Sequence, residues 1–324
     1  MKALVIGCGS IGERHIKNLI DMGIKDIIAY DIIEEKTKEI KQKYGIETHK
    51  ELDDALKEKP DAVLVCTPTN IHIPTALKAI DNNCHVFIEK PISHNLDGID
   101  ELIKKAEEKN LAIMTGYNLR FHPGLKLVKN LLDKGKIGRP LTARVEYGQY
   151  MPDWRPEQDY RKVYSAKRDM GGGIVLDASH EIDYIRWLFG DVKNILAFVN
   201  KLSKLDIDVE DTADAIIRTE NGSIIALHLD ALNRIYTRFC KIVGEKGTII
   251  WDYADKTVKL YEENKEPKTF KFDIDMNDVY KDELKYFLEC IRSGKKPEPD
   301  GNDGKRVLEI AIAIKKSSGK IEEL

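Results

Sequence analysis

Short apolar runs alternate with longer amphipathic stretches through the first 120 residues. The runs predict strands at Ala3–Ile6, Ile27–Tyr30, Ala62–Cys66, Val86–Ile88 and Ala112–Thr115. The stretches between them predict helices near Glu34–Tyr44, Asp53–Lys59, Pro74–Asn82 and Asp97–Lys109. This alternation is typical of a parallel sheet with helices on both faces. Because ligands of such sheets bind at the carboxyl ends of the strands, we expect functional residues in the loops that follow them.

The pattern changes after about Gly116. A helix over Gly124–Lys134 precedes a strand at Leu141–Tyr150, and a helix running through His180 to Phe189 follows a charged loop. Turn signals then separate a series of predicted strands at Ile195–Val199, Ala213–Arg218, Ser223–Leu229, Tyr236–Val243, Thr248–Trp251 and Val258–Tyr261. Two helices, Val279–Arg292 and Gly304–Ser317, close the chain.

These patterns predict an α/β protein of two domains. Residues 1–120 would form a domain built on the parallel sheet, and residues 121–324 an α+β domain with a large, mostly antiparallel open sheet. The closing helix, about 304–317, is expected to pack back on the first domain. Because an open sheet needs cover on its exposed face, we expect a homodimer or homotetramer formed through this sheet.

Composition excludes several classes of protein. Charged residues make up 33% of 324, but the formal net charge is only −3, and no basic stripe indicates nucleic acid. No apolar stretch is long enough for a membrane helix, and the first apolar run reads as a strand, not as a signal peptide. The five cysteines have neither CxxC nor zinc-ligand spacing. We therefore expect no metal, and reduced thiols in the cytoplasm.

A glycine-rich turn follows the first predicted strand. Gly7 permits a tight turn, Gly9 lets the backbone approach a ligand, and Gly12 lets the following helix lie close to the strand. The free N–H groups and positive dipole at the start of that helix favour an anion. The expected pyrophosphate site comprises Gly7, Gly9, Ser10, Ile11 and Gly12. Packing alone is the alternative explanation for a GxGxxG pattern that stands by itself.

Asp31 ends the second predicted strand, 19 positions after Gly12. A carboxylate there is expected to reach a ribose 2′-hydroxyl and to repel a 2′-phosphate. The sequence therefore favours NAD over NADP. An ordinary polar residue at a strand end is the alternative.

Polar residues also follow the third and fourth strands of this pattern. The segment after Cys66 offers Thr67, Pro68, Asn70 and His72 to a cofactor, although Thr69 or Asn70 could equally cap the next helix. Glu89 and Lys90, also expected to contact the cofactor, precede a proline that could form a cis bond and aim the lysine.

At that strand end, the Lys90 ammonium would meet both nicotinamide and substrate. It could bind a substrate hydroxyl and help to stabilise the developing alkoxide. A solvated surface lysine is the alternative.

A third candidate group follows three glycines, Gly171–Gly173, whose flexibility permits a close backbone approach. Asp177 and His180 are three residues apart, so at a helix start they would share one face. A carboxylate beside an imidazole fixes its tautomer and raises its basicity, which suits a general base. A helix cap and a buried histidine would be the structural alternative.

In these segments the chain resembles the Gfo/Idh/MocA family of sugar-type oxidoreductases over essentially its whole length. The resemblance rests on the glycine turn, on Thr67–His72, on Glu89-Lys90-Pro91, on Tyr117–Phe121 and on Gly171–His180.

The resemblance implies that residues 1–120 form a Rossmann NAD(P)-binding domain and that residues 121–324 bind substrate and form oligomers. It also implies that Lys90, Asp177 and His180 are the catalytic group and that Asn118 lies near the nicotinamide. Family members more often have three residues between the Asp and the His, whereas only two intervene here. One residue is about 100° of helix rotation, which changes the geometry of the base.

Two further segments are candidates for substrate binding. Arg120 lies in the Tyr117–Phe121 segment of the resemblance, and a charged, aromatic loop over 151–168 contains Trp154, Arg155 and Arg168. Guanidinium groups bind carboxylate or phosphate in a bidentate way. The loop is similar to those of family members tied to surface-polysaccharide and nucleotide-sugar pathways, so an anionic sugar is one hypothesis. A surface or subunit-contact loop is the other.

The sequence is therefore interpreted as an NAD-dependent dehydrogenase acting on a sugar-type CH–OH group. His180, supported by Asp177, would take the hydroxyl proton, and Lys90 would hold the oxygen. Two alternatives remain: a hydrolase or lyase that uses tightly bound NAD in a transient oxidation, and a non-catalytic sensor that binds the dinucleotide.

Overall fold

The computed structural model describes residues 1–317, which divide into two compact units. The first unit comprises Met1–Asn118 and Met276–Leu308. The second comprises Leu119–Asp275 and the chain from Glu309 onward.

The first unit is built on a six-stranded parallel sheet. Its strands are β1 (Lys2–Ile6), β2 (Asp26–Tyr30), β3 (Glu47–His49), β4 (Ala62–Val65), β5 (His85–Glu89) and β6 (Ile113–Gly116), in the spatial order β3-β2-β1-β4-β5-β6. All four residues of β4 are fully buried. A strand buried on both faces needs an uninterrupted apolar sequence, which explains why the central strands were predicted from the sequence.

Helices connect these strands. They are α1 (Ser10–Asp21), α2 (Glu34–Tyr44), α3 (Leu52–Lys57), α4 (His72–Asp81) and α5 (Ile99–Glu108). The chain leaves β1 in one direction to build β2 and β3, then returns to place β4 on the other side of β1. The order therefore reverses between β1 and β4, and the carboxyl ends of neighbouring strands at such a reversal are where ligands of open α/β sheets bind.

Two helices near the end of the chain also belong to this unit, at least in part. They are α9 (Met276–Ser293) and α10 (Gly301–Lys316), of which the residues up to Leu308 are included. Asn277 donates to the side chain of Asn18 over 2.8 Å, and the Thr115 N–H donates to the Pro299 carbonyl over 3.1 Å. The sequence analysis assigned residues 121–324 to the second domain and expected only the closing helix, about 304–317, to pack back on the first, because contacts so distant in sequence leave no local pattern.

The second unit contains an eight-stranded sheet. Its strands are β7 (Pro140–Gly148), β8 (Val192–Asn200), β9 (Thr212–Thr219), β10 (Ile224–Asp230), β11 (Thr237–Gly244), β12 (Gly247–Asp252), β13 (Thr257–Glu262) and β14 (Lys268–Lys271). The spatial order is β14-β13-β12-β11-β7-β10-β9-β8, and every pair is antiparallel except β7 and β10. The α/β class and the large, mostly antiparallel sheet predicted from the sequence are confirmed.

One face of this sheet packs against α6 (Pro123–Asp133), α7 (Ile174–Asp177) and α8 (Ser179–Phe189). The other face exposes large apolar side chains, including Leu196, Phe198 and Ile216, each about half exposed. Buried and exposed residues alternate along β9, as expected where helices cover only one face. Among residues 1–317, no helix is long and apolar enough to span a bilayer.

His122 makes the stability of the second unit depend on pH. Its Nδ1 accepts the Gly124 N–H at the start of α6 over 3.0 Å, and its ring packs against Trp251 and Tyr253. Burial, together with the charge of Arg238, lowers the pKa of His122 to about 4. In the unfolded chain the His122 ring takes up a proton near pH 6.5. The stability that the neutral ring contributes is therefore fully present above that pH and is lost as the pH falls from 6.5 to 4.

Between pH 6.5 and 4, we expect the free energy of unfolding of the wild type to fall by about 3 kcal/mol more than that of His122→Asn. Asparagine keeps an oxygen acceptor at the start of the helix but has no titrating ring. Urea unfolding at pH 8 and at steps down to pH 4 measures the difference. Parallel stability curves for the two proteins would contradict the assignment.

Candidate active site

The glycine turn after β1 is built by close backbone contacts. Gly7 has φ +96°, and a Cβ on it would lie 2.6 Å from the Cys66 carbonyl oxygen in the loop after β4. A Cβ on Gly12 would lie only 1.8 Å from the Gly7 carbonyl oxygen. At Gly9, by contrast, it would meet nothing nearer than Lys36 Nζ at 4.0 Å. Gly7 and Gly12 therefore allow the turn itself, whereas Gly9 leaves open space where a ligand could approach.

Gly12→Ala is expected to remove dinucleotide binding. The added methyl cannot coexist with the Gly7 carbonyl, so α1 must move away from the turn. Its first N–H groups then no longer point towards the expected pyrophosphate position. Titration with NADH, followed by its fluorescence, should show affinity weakened at least about 100-fold, or about 2.7 kcal/mol. Gly23→Ala, after α1 at φ +79°, has open space for its Cβ and carries about 1–2 kcal/mol of backbone strain away from the turn, so it is the control for a destabilising glycine loss that leaves the turn intact. Equal affinity in the Gly12 variant would disprove this role.

The start of α1 has no side-chain cap, so its first N–H groups remain available to an anion. Asp31, just beyond β2, accepts the Cys8 N–H over 2.7 Å and the Ile33 N–H over 2.9 Å. A carboxylate has further lone pairs for ribose hydroxyls. Burial and the nearby Asp31 charge raise the pKa of Cys8 to about 12, so its side chain remains a neutral thiol.

The loop after β4 also faces this edge of the sheet. Thr67 Oγ1 is buried and has no hydrogen-bond partner among residues 1–317, so it offers a hydroxyl to a ligand. Pro68 leads into a short 3-10 turn over Thr69–Ile71, which includes Asn70. No side chain caps that turn or α4, so the alternative that Thr69 or Asn70 caps the helix is not observed.

His72 differs from the sequence expectation. The sequence placed it among the cofactor-binding residues, but its ring is 1% exposed and both nitrogens face main-chain carbonyls. Nδ1 lies 2.9 Å from the Pro91 oxygen, and Nε2 lies 2.8 Å from the Thr67 oxygen. Both ring nitrogens thus face acceptors within the protein, and the single N–H of the neutral ring bonds to the loop after β4 or to the loop after β5.

Lys90 follows the last residue of β5, at the same carboxyl edge of the sheet as the glycine turn. The Glu89 side chain is buried and accepts the Lys90 N–H over 3.2 Å. Glu89 also receives a 2.7 Å contact from His15 Nε2, a residue of α1. The Lys90–Pro91 bond is cis, as the sequence analysis considered.

Asn118 lies at the end of the first unit and is 3% exposed. Its side chain hydrogen-bonds Tyr280 of α9, and burial with the Glu89 charge raises the pKa of that tyrosine to about 12. Asn118 Oδ1 is buried and has no hydrogen-bond partner among residues 1–317. Together with Thr67 Oγ1, this atom fits a polar group such as a carboxamide, so the residues of this unit fit a nicotinamide dinucleotide.

The second unit carries Asp177 and His180. The expected single helix is interrupted at Ala178, because Asp177 ends α7 and α8 begins at Ser179. The two residues are therefore not on one continuous helix face. Asp177 Oδ1 accepts hydrogen bonds from the hydroxyls of Tyr164, over 2.9 Å, and Ser165, over 3.1 Å. Burial and the Asp177 charge raise the pKa of Tyr164 well above its usual value, so this hydroxyl remains a donor.

Two buried ion pairs fix α8 next to His180. Asp183 binds Arg120, with Nη2 to Oδ1 at 2.7 Å and Nε to Oδ2 at 2.9 Å. Glu181 binds Arg238 of β11 at 2.8 Å, and the guanidinium stacks over Tyr147 at 4.4 Å. His180 itself is 8% exposed. These pairs hold the helix that carries the candidate base.

The same geometry changes the interpretation of Arg120. The sequence analysis made it a substrate contact, but it is 8% exposed and its guanidinium binds Asp183 in a bidentate way. Asp183, one turn of α8 beyond His180, orients the helix through this arginine.

The arginines of the loop over 151–168 differ in whether their guanidinium groups are already bonded within the protein. Arg168 donates from Nε and Nη2 to the Asp208 carbonyl over 3.1 and 2.7 Å, and Arg161 pairs locally with Asp159. Trp154 donates its ring N–H to the Gln149 carbonyl. Within residues 1–317, the Arg155 side chain makes no hydrogen bond or ion pair, so this is the arginine of the loop whose guanidinium is available.

Several residues were missed by the sequence analysis. His15 and Tyr280 lie behind Glu89 and Asn118, and the hydroxyls of Tyr164 and Ser165 hold Asp177. A histidine on the buried side of α1 was the one available signal for His15. Tyr280 is 162 positions from Asn118, and nothing local connects them.

The fold and the glycine turn define an NAD-binding oxidoreductase. Residues 1–117 match the model of the GFO/IDH/MocA oxidoreductase family, described as an NAD-binding Rossmann fold, and residues 125–250 match the model of that family's C-terminal domain. The chain belongs to the GFO/IDH/MocA family. It is an NAD(P)-dependent dehydrogenase that acts on CH–OH groups.

Curated relatives match the chain over its full length. A myo-inositol 2-dehydrogenase of Thermotoga maritima is 33% identical over 100% of this chain and 99% of its own length. A scyllo-inositol 2-dehydrogenase (NAD(+)) of Bacillus subtilis is 26% identical over 98% and 94%. A solved levoglucosan dehydrogenase in complex with NADH and levoglucosan superposes with a TM-score of 0.89 at 21% identity, covering 98% of this chain and 96% of that one. The last comparison concerns the fold alone.

Proposed function

We propose that this protein uses NAD to oxidise a secondary hydroxyl of a sugar or cyclitol. The observation that carries the proposal is the position of Lys90, which follows β5 at the same edge of the parallel sheet as the glycine turn. The full-length similarity to inositol dehydrogenases supports it.

The residues have distinct roles in this proposal. His180 takes the proton of the substrate hydroxyl, and Asp177 orients and supports the imidazole. Tyr164 and Ser165 fix the Asp177 carboxylate by donating to one oxygen. Lys90 binds the substrate oxygen and offsets its developing negative charge. NAD, held by the glycine turn, Asp31, Thr67 and Asn118, supplies the hydride acceptor.

NAD is the proposed cofactor because of Asp31. Its carboxylate lies against the glycine turn, where it suits two ribose hydroxyls and repels a 2′-phosphate. A comparison of kcat/KM for NAD and NADP tests this preference. Higher kcat/KM with NADP would reverse it.

The substrate is proposed to be a neutral polyhydroxylated ring, in line with the names of the curated relatives. An anionic or nucleotide sugar is the second candidate, and Arg155 is the observation in its favour. Its free guanidinium could bind a carboxylate or phosphate in a bidentate way.

A substrate screen followed by NADH absorbance at 340 nm tests the proposal. One arm uses myo-inositol, scyllo-inositol and levoglucosan, and the other uses UDP-N-acetylglucosamine and its uronic acid. Turnover in the first arm alone removes the anionic hypothesis. Turnover in the second arm alone, lost in Arg155→Ala, establishes it. No redox turnover in either arm, with NADH bound, contradicts dehydrogenation of both classes.

The same assay addresses the two alternative functions. A hydrolase or lyase with tightly bound NAD would convert substrate, seen by chromatography, without net NADH. A sensor would bind NADH and convert nothing. Either outcome would replace the proposed net oxidation.

We also propose that the open face of the eight-stranded sheet binds a second copy of the chain, giving a homodimer or homotetramer in the cytoplasm. That face mixes the apolar Leu196 and Phe198 with the charges of Arg144, Glu146 and Asp214, so it offers both signs to an identical surface. Light scattering after gel filtration measures the mass. A monomer of 36.9 kDa at micromolar concentration would contradict this assembly.

A further inference from the structure

Two buried histidines contact the residues on either side of Lys90. His15, from α1, contacts Glu89, and His72, from the start of α4, contacts Pro91. The two rings are 0% and 1% exposed, so neither reaches solvent. All of these residues belong to the first unit.

The His15 contact leads directly to the backbone of Lys90. Nε2 lies 2.7 Å from Glu89 Oε1, and Glu89 Oε2 accepts the Lys90 N–H over 3.2 Å. Nδ1 is buried without a hydrogen-bond partner among residues 1–317. A proton on Nδ1 would be an unsatisfied donor, so the arrangement favours the tautomer in which Nε2 donates to Glu89.

The environment of His15 leaves its ring little freedom. Phe87 and Tyr280 pack edge-on against it, with centroids at 5.3 and 6.3 Å. A fixed ring fixes the Glu89 carboxylate, and that carboxylate fixes the end of β5. A buried carboxylate is costly unless it is hydrogen-bonded, so apolar packing alone does not account for Glu89 at this point.

His72 acts on the other side of Lys90. Its ring lies between the Pro91 carbonyl, at 2.9 Å, and the Thr67 carbonyl, at 2.8 Å. Burial lowers the pKa of His72, which favours the neutral ring with a single N–H. Either tautomer ties α4 to one of the two loops that follow β4 and β5.

We propose that His15 and His72 are positioning residues for Lys90, and that His15 links the dinucleotide-binding helix α1 to the catalytic strand end. The inference rests on the proposed function, because it assumes that Lys90 contacts the substrate oxygen. Because Glu89 and Pro91 are both held by histidines, the backbone at Lys90 has a fixed orientation from which its side chain extends. A misplacement of about 1 Å at a reacting group is enough to cost about 10²-fold in rate.

The experiment compares His15→Leu with His15→Gln. Glutamine retains a donor near the position of Nε2, whereas leucine has none. We expect His15→Leu to lower kcat at least about 10-fold, with the Kd for NADH and the substrate KM each within about threefold of wild type. His15→Gln should recover most of kcat. His72→Asn, which keeps a donor near Nδ1 for the Pro91 carbonyl, should likewise retain more kcat than His72→Leu.

A second readout does not depend on turnover. Reductive methylation with formaldehyde and a borohydride, followed by peptide mass spectrometry, reports the reactivity of Lys90. Lys104, an exposed lysine of α5, is the internal reference. We expect the Lys90-to-Lys104 labelling ratio to change at least about twofold in His15→Leu and to return towards the wild-type value in His15→Gln.

The outcomes separate this inference from the proposed function. Full turnover in Lys90→Met overturns the catalytic role of Lys90, and the labelling ratio then still decides whether His15 positions it. Loss of turnover in Lys90→Met, with wild-type kcat and labelling in a folded His15→Leu, overturns the positioning role. If His15→Leu does not fold, Glu89→Gln replaces it, because the single acceptor oxygen of glutamine cannot accept both the His15 Nε2–H and the Lys90 N–H. Wild-type kcat and labelling in that variant equally refute the inference.

Discussion

Lys90→Ala is expected to lower turnover at least about 10²-fold while NADH binding stays nearly unchanged. Lys90 follows β5, whereas the dinucleotide is expected to be held mainly by the glycine turn and Asp31. Loss of the ammonium leaves the substrate oxygen without a cation as negative charge develops, and affects the chemical step more than the binding of cofactor. The measurement is kcat from NADH absorbance, with the Kd for NADH from fluorescence titration.

Lys104→Ala is the matched control for the loss of a lysine. Its side chain is 77% exposed and makes only a surface contact with Glu108, so turnover should not change. Unchanged kcat in Lys90→Ala would remove Lys90 from the mechanism. A large loss of NADH affinity in the same variant would instead make it a cofactor-binding residue.

The helices and strands that could be predicted are those whose own local sequence, by its hydrophobic pattern, identifies the element. The strand β4 is apolar because both of its faces are covered, and α2 was predicted with the bounds that the structure has. The short strands β3 (Glu47–His49) and β14 (Lys268–Lys271) were missed, since they are polar sequences that pair at sheet edges. Edge pairing depends on a neighbouring strand, and three or four residues carry no periodicity.

The candidate site follows the same rule. Position at a strand end singled out Asp31 and Lys90, because strand ends can be read from local sequence. The partners of a side chain cannot be read in this way. Arg120 and His72 have the chemistry to bind a ligand, yet their polar groups contact Asp183 and main-chain carbonyls that only the fold brings near.

The structure also shows how the second unit holds its candidate base. The helix α8 carries His180 in its first turn, with Glu181 and Asp183 directly after it. Each of those acids is buried and paired with an arginine from a different element. Position and stability of this helix are therefore linked through the same two ion pairs.

Asp183→Asn is expected to destabilise the second unit by about 3–5 kcal/mol, because it removes the negative charge from the buried bidentate pair with Arg120. For a domain of this size the melting temperature should fall by roughly 6–20 °C. Turnover measured well below that temperature should fall as well, since α8 loses one of its two anchors. Differential scanning calorimetry and kcat on the same preparation test both effects.

Asp159→Asn provides the matched control, because Asp159 and Arg161 form an Asp–Arg pair at the surface. Such pairs contribute little, so its melting temperature should equal that of wild type. The double variant Arg120→Met with Asp183→Leu removes both charges of the pair together and should be more stable than Asp183→Asn alone, which keeps the buried guanidinium but removes the Asp183 charge. If the double variant is the less stable of the two, the cost comes from lost packing and not from the loss of the Asp183 charge.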